Sequence, residues 1–418
     1  MSLEGLEVVV LAAGKGVRMR SAKPKVLHTV CGRTLLDRVI RAAAALKPRK
    51  ISVVVGHGRE DVESELAALR GRLGFAADAL TSVLQEQQLG TGHAVQVALP
   101  EVSQAKHILI LPGDVPLLTA GCLEKLVSLY KAGQQNGVSF LSFEPPVVSG
   151  FGRVVRDARG QVQAVVEEKD ASAEQREIAE VNASIYLVSA GFLAHALRSM
   201  SSDNAQGEYY LTDIVAKGVS EKVDVQAILS DDYRDVTGAN SRGELSCLES
   251  IQRGRIAARL MAEGVYLEDP MTTYIEDDVQ IGIDTSIGAG VHIKGNSVIG
   301  ANVTIEPACH ITDSRIANGC AVKYASVLED AQLASSCQIG PFARLRPGTE
   351  LGDGVRIGNF VETKKSVFGA GAKANHLSYV GDAQVGRNVN IGAGTITCNY
   401  DGVSKFKTEL DDGVFIGS

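Results

Sequence analysis

A loop suited to holding phosphates stands almost at the front of the chain. Residues 8–19 read VVVLAAGKGVRM and residues 24–28 read PKVLH, so an apolar strand runs into glycines at 14 and 16 with cations at Lys15, Arg18 and Lys25. Glycine lets backbone N–H groups come close to an anion, and the cations complete a cradle for several phosphates. Met19 stands where a dinucleotide-binding loop needs its third glycine, and no Ser or Thr follows a Gly-Lys pair as a Walker loop requires. The pattern is that of a different nucleotide site, at the end of the first strand of a parallel sheet.

Further residues with binding chemistry follow in order. Residues 84–94, LQEQQLGTGHA, carry Gln85, whose amide both donates and accepts and so can pair bidentately with an imide edge such as that of uracil. Gly90 lets backbone approach the base. Residues 110–117, ILPGDVPL, end an apolar strand in Asp114 at the carboxyl edge of the sheet. Magnesium takes few carboxylates along with phosphate oxygens and water, which suits a single strand-end aspartate. GFGRVV at 150–155, VVEEKD at 165–170, Asn182 in VNASIYLV and Asn240 offer the amides and carboxylate that sugar hydroxyls and an N-acetyl group require. Much later come FARLRPG (342–348), NFVETKKS (359–366), NHLSYVGD (375–382) and NVNIGAGTITCNYD (388–401), with Lys405 beyond them. There His376 stands with Glu362, Tyr379 and Asn390, and a neutral imidazole can take a proton from a sugar ammonium as its nitrogen attacks a thioester.

Two kinds of element must position these groups. Apolar runs at 8–13, 51–55, 107–111, 137–143 and 184–188 read as strands, alternating with helical segments at 35–46, 59–69, 121–131 and 191–199. That alternation predicts an α/β Rossmann-like domain with a mostly parallel sheet, binding ligands beyond the carboxyl ends of its strands. Residues 238–263 read as one long connecting helix, with Asn240 near its start and Gly264 as its stop. The period then changes to six. Ile281, Ile287, Ile293, Ile299, Ile305 and Ile311 keep strict register, which Val327, Leu333, Ile339, Leu345, Leu351 and Ile357 resume. Small or β-branched residues follow four places later at Thr285, Val291, Ser297, Val303, Cys309, Ala331, Cys337, Ala343 and Val355. A hexapeptide repeat predicts a parallel β-helix with the aliphatics stacked inside and the small residues in its corners. Thr363 breaks the repeat where an aliphatic is due, and such breaks are where function is expected. The expected division is 1–237, 238–263 and 264–418. The repeat stops within a motif at Ser418, which reads as an incomplete end to the β-helix.

Composition narrows the function classes. A net charge of −7 without long charged blocks argues against a nucleic-acid partner, and no run of 18 or more apolar residues or signal-peptide pattern points to a membrane. Seven scattered cysteines without a CxxC pair suit a reducing cytoplasm rather than a disulfide framework or zinc site. The absence of tryptophan and a 5% aromatic content fit a narrow β-helical prism.

The spacing LxAAGxGxRM…PK resembles the sugar-nucleotidyltransferase family. Joined to a hexapeptide β-helix bearing GPFARLRPG, NFVETKKS and NIGAGTITCNYDG, it closely resembles the bacterial bifunctional N-acetylglucosamine-1-phosphate uridyltransferase / glucosamine-1-phosphate N-acetyltransferase family, over essentially the whole chain, with a left-handed β-helix. The resemblance implies that acetyl-CoA acetylates glucosamine 1-phosphate, and that UTP then uridylylates N-acetylglucosamine 1-phosphate, releasing pyrophosphate and feeding peptidoglycan and lipopolysaccharide precursors. It implies that Leu11, Ala12, Ala13, Gly14, Lys25, Gln85, Gly90 and Thr91 hold the UDP moiety, with Arg18 and Lys25 neutralising developing charge. Pro112 and Gly113 lead into Asp114, which with Asn240 would bind Mg²⁺, while Gly152, Glu167, Asn182 and Asn240 would contact the amino sugar. In the second half Arg346 and Lys364 would bind the sugar phosphate, and Tyr379 and Asn390 the sugar. His376 would be the general base, and Ala393, Asn399, Tyr400 and Ser418 would lie along acetyl-CoA. The family builds its acetyltransferase sites between subunits, which implies a homotrimer. Two competing readings are a nucleotidyltransferase making ADP-glucose or GDP-mannose, and a monofunctional sugar-1-phosphate nucleotidyltransferase whose β-helix serves only as a trimerisation scaffold.

Overall fold

The computed structural model describes residues 3–132 and 136–417, and the chain divides into two compact units, Met1–Leu248 and Glu249–Ser418. The strands of the first unit are β1 Leu6–Leu11, β2 Ile51–Val55, β3 Leu80–Leu84, β4 His107–Pro112, β5 Val138–Phe143, β6 Arg153–Arg156, β7 Val162–Val166, β8 Val181–Ser189 and β9 Val225–Leu229. They form one sheet in the order β9-β5-β8-β4-β1-β2-β3, with β6 joined to both β8 and β7. The neighbours along that order are parallel except at β8, which runs antiparallel to β4 and β5. Successive side chains of a strand point to opposite faces, and here both faces are covered. Val8 and Val10 enter a core shared with helices α1 Leu35–Ala44, α2 Arg59–Leu73 and α4 Ala120–Ala132. Val9 enters the opposite core, shared with α3 Thr91–Ala98, α5 Ala190–Arg198 and α6 Asp213–Ser220.

This topology creates the site's edge. The carboxyl ends of β1 to β5 share one side of the sheet, and the reversal of β8 brings its first residues, Val181 and Asn182, to that same side. The five strands anticipated from apolar runs all belong to this sheet. β3, β6, β7 and β9 are short and carry half-buried residues, so their period is too brief to stand out. The GFGRVV and VVEEKD segments prove to be partners, pairing Arg153 with Val166 across an antiparallel hairpin.

Helix α7 runs Arg242–Ala262, four residues shorter at its start than the periodicity suggests. Ser241 Oγ accepts from Glu244 N at 3.2 Å as the cap, and Ala239 N donates to Asp114 O at 3.0 Å, which holds residues 238–240 out of the helix. Asn240 therefore lies in a strap before the helix rather than on it.

The second unit is a left-handed parallel β-helix. Three inward columns stack coil on coil: Ile299-Ile316-Leu333-Leu351-Phe368, Ile287-Ile305-Val322-Ile339-Ile357, and Ile275-Ile293-Ile311-Leu328-Leu345-Thr363. The inward residue is Leu328, fully buried, and not the expected Val327, which is half-buried. The faces from Ile311 to Ile316 and from Leu328 to Leu333 each span five residues rather than six, so counting back by six from Leu333 lands on Val327 instead of the inward Leu328. The nine expected corner residues are all buried. Thr363 keeps its slot because its Oγ1 shares a hydrogen bond with Thr349 Oγ1 at 3.0 Å, satisfying a hydroxyl inside an apolar stack. Among the described residues no helix is long and apolar enough to cross a membrane.

Candidate functional site

The edge of the first unit's sheet holds a cleft of about 640 Å³. Leu11, Ala12, Ala13, Gly14, Arg18, Lys25, Gln85, Gly90, Thr91, Pro112, Asp114, Asn182 and Asn240 all line it, together with Lys15. Gly113 forms the buried turn behind Asp114, where an added Cβ would come within 3.0 Å of Leu11 O. At the cleft's centre the Lys25 ammonium forms an ion pair with Asp114 and donates to Asn240 Oδ1 at 2.6 Å. Gly16 makes this possible. Its φ of +58° is left-handed, and a Cβ there would stand 2.8 Å from the Lys25 Cβ. A further tie joins the same two segments: Arg242 donates to Nδ1 of buried His28 at 3.2 Å. Burial, with the Arg242 and Lys23 charges nearby, lowers the His28 pKa and keeps it in the neutral, accepting form. Lys15 and Arg18 stand exposed on the loop, free to meet an anion.

The Gln85 side of the cleft is more restricted than its sequence suggests. Gln85 is almost fully buried, and its Nε2 donates to Gly90 O at 3.2 Å and to His93 Nδ1 at 3.0 Å. Both amide hydrogens are spent, so Gln85 offers an acceptor only and cannot pair bidentately. Gly90, at φ +112°, packs against the Tyr209 backbone, where any Cβ would lie 2.6 Å from its carbonyl oxygen. Thr91 opens α3, and its Oγ1 accepts from Leu211 N at 3.1 Å.

Gly152 and Glu167 do not line the cleft but stand beside its wall near Asn182. Asn182 N donates to Gly152 O at 2.9 Å, and Gly152 lies 3.5 Å (to an added Cβ) from Glu167 Oε2. Burial raises the Glu167 pKa, as do the carboxylates of Asp170, Asp213 and Glu208, against a hydrogen bond from Thr212. Asn182 spends its amide inside the strand, donating to Tyr186 OH at 2.7 Å and accepting from Ser184 N at 3.0 Å. Gln88, Phe151, Ser184 and Glu208 also line the cleft without having been singled out in the sequence. Gln88, Phe151 and Ser184 fall inside the LQEQQLGTGHA, GFGRVV and VNASIYLV segments, whereas Glu208 carries no sequence signal.

In the β-helix the long strands Arg356–Lys364 and Lys373–Gly381 pair in parallel, placing Asn359 beside His376 and Glu362 beside Tyr379. His376 is exposed, and its Nδ1 donates to Asn359 Oδ1 at 3.2 Å. An amide oxygen only accepts, so the neutral ring carries its proton on Nδ1 and presents the Nε2 lone pair outward. Asn359 is the partner that residue types alone did not single out. Arg346 donates to Glu362 at 2.8 Å. The Lys405 ammonium pushes the Lys364 pKa down, with Arg346 adding to the effect and Asp382 opposing it. Asn399 bonds Asp382, and the Tyr400 hydroxyl donates to Gly402 O at 2.6 Å. Asn390 begins the strand next to Lys373, and Ala393 follows three residues on. Ser418 lies outside the described residues.

Residues 8–179 match the MobA-like NTP transferase domain, and residues 275–367 match the GMPPB C-terminal domain. The chain is similar to proteins named bifunctional protein GlmU: 48% identical over 413 residues to that of Marinobacter nauticus, 49% over 414 to that of Stutzerimonas stutzeri, and 49% over 413 to that of Azotobacter vinelandii. Each comparison covers 99% of this chain and 88% of the relative.

Proposed function

The chain belongs to the family of the bifunctional protein GlmU, and on that premise we propose how its residues share two reactions. The β-helix acetylates glucosamine 1-phosphate from acetyl-CoA, and the α/β unit joins N-acetylglucosamine 1-phosphate to UTP, releasing pyrophosphate. The observation that carries the second reaction is the Lys25 ammonium seated between Asp114 and Asn240 beside a glycine loop. A carboxylate and an amide oxygen already hold a cation there, which is the hard-oxygen donor set that Mg²⁺ takes together with phosphate oxygens. Bound Mg²⁺ supplies charge neutralisation on the triphosphate. Asp114 and Asn240 are the proposed protein ligands. Lys25, Lys15 and Arg18 hold the phosphates, and catalysis is positioning plus neutralisation as sugar phosphate attacks the α-phosphorus. Gly152, Glu167 and Asn182 form the sugar side.

For acetylation, Arg346, Lys364 and Lys405 suit a sugar phosphate, Tyr379 and Asn390 the sugar, and Ala393, Asn399, Tyr400 and Ser418 acetyl-CoA. His376 takes the ammonium proton. A β-helix acting only as a scaffold has no use for an imidazole oriented by an amide. None of the seven cysteines forms a disulfide among the described residues, which suits a reducing cytoplasm. One assay tests the whole reading: product analysis with UTP, Mg²⁺ and either sugar phosphate, with and without acetyl-CoA.

Two expectations follow. UTP is used at least about tenfold better than ATP or GTP, because the imide edge of uracil can meet Gln85 and the Gly90-Thr91 backbone together, and a base that misses one of these forfeits a buried hydrogen bond. Equal use of ATP removes the uridine assignment. The second concerns assembly. Tyr324, Phe342, Phe360 and Leu377 form an exposed apolar ladder along one corner of the β-helix, with ring centroids 5.5 and 5.6 Å apart, ending next to His376. Exposed apolar strips of this kind mark association surfaces, and two further copies would bury them. Light scattering is expected to give the mass of a trimer, and a stable monomer at micromolar concentration counts against it.

A further inference from the structure

We propose that His93 is a positioning residue that sets base specificity by locking the Gln85 amide as a hydrogen-bond acceptor. The inference rests on the reading of the α/β cleft as a UTP site and deepens it. Gln85 Nε2 can only donate, so both groups it meets must accept. Gly90 O is an acceptor whatever the protonation state. His93 Nδ1, 3.0 Å away, therefore carries the lone pair, with the ring proton on Nε2. The His93 ring is itself held near Tyr209, their centroids 6.4 Å apart.

The same geometry fixes the orientation of the amide. Turning Gln85 over would point its oxygen at Gly90 O, two acceptors face to face, and at the lone pair of His93 in the tautomer that the present bond requires. The Oε1 of Gln85 accepts no hydrogen bond among the described residues, and Gln85 lines the cleft, so this oxygen is what a base meets. Uracil presents an N3–H between two carbonyls, and that N–H donates to Oε1. Cytosine presents a lone pair at N3, which faces Oε1 in repulsion. A free amide could rotate and serve either base. A locked one serves only the imide.

The test compares UTP with CTP as kcat/KM ratios in uridylyl transfer. The unmodified protein is expected to favour UTP. His93→Leu and His93→Phe, the latter keeping a ring beside Tyr209, remove the acceptor and should narrow the ratio by about tenfold, through a gain with CTP as well as a loss with UTP. His93→Asn places an oxygen near the Nδ1 position and should restore most of the preference. A general packing defect would lower both nucleotides together and leave the ratio unmoved. An unchanged ratio in the leucine and phenylalanine variants overturns the proposal, as does an asparagine variant no different from them. If the unmodified protein shows no preference for UTP, the uridine reading itself fails, an outcome seen before any substitution is made, and this proposal falls with it.

Discussion

Asp114→Ala abolishes uridylyl transfer, with an expected loss of at least about 10³-fold at saturating Mg²⁺. The carboxylate is the negative group that Lys25 meets at the floor of the cleft, and its backbone carbonyl also holds the strap through Ala239 N. Replacing the side chain spares that backbone bond, because Ala keeps the carbonyl. The strap therefore stays in place while the charge disappears, and Lys25 keeps only the Asn240 oxygen at 2.6 Å. Asp114 does not pack a core, so circular dichroism and thermal unfolding should change little. Lys25→Ala is the complementary case. It removes the cation, weakens phosphate binding and slows transfer, yet leaves the preference for UTP intact because Gln85 is untouched. Near-normal transfer by Asp114→Ala would take Asp114 out of the mechanism.

His376→Ala lowers acetyl transfer by about 10²–10⁴, the usual worth of a general base, and leaves uridylyl transfer unchanged. The separation is expected because the phosphate cleft and His376 belong to different compact units. Asn359→Leu should cost less, since it removes only the group that holds the proton on Nδ1 and aims Nε2 outward. The ordering matters: alanine at 376 must hurt more than leucine at 359. An active His376→Ala protein shows that the base lies elsewhere. Reduced uridylyl transfer in the same protein shows that the substitution damaged more than one side chain.

The glycine loop was legible as a strand-end turn because its residues are contiguous, and Gly14, Lys15 and Arg18 do line the cleft. Asp114 was legible because a strand-end aspartate must fall at the carboxyl edge of a parallel sheet. The sugar side was less so. Glu167 was anticipated as a sugar contact; it is half-buried beside the cleft and held by Thr212 across a chain separation that no local pattern spans. Asn182 reaches the correct edge only because β8 runs antiparallel, a reversal that leaves no periodic trace. In the β-helix the strict hexad exposed the fold and the break at Thr363, but the five-residue face from Leu328 to Leu333 puts the buried slot at Leu328, where counting back by six gives Val327.

What the sequence by itself determined is periodic or local: the two architectures, the phosphate loop, the aliphatic columns, and the residue types collected for each reaction. These follow from side-chain spacing, which the backbone geometry of a strand or a six-residue face reads directly. What only the tertiary structure decided is which long-range partner each polar group meets. Lys25 meets Asn240 across more than two hundred residues of chain, Gln85 spends both amide hydrogens on Gly90 and His93, and His376 is aimed by Asn359 from the coil below. Hydrogen bonds are directional and saturable, so a donor's role depends on which acceptor folding brings within reach, and sequence spacing carries no record of that choice.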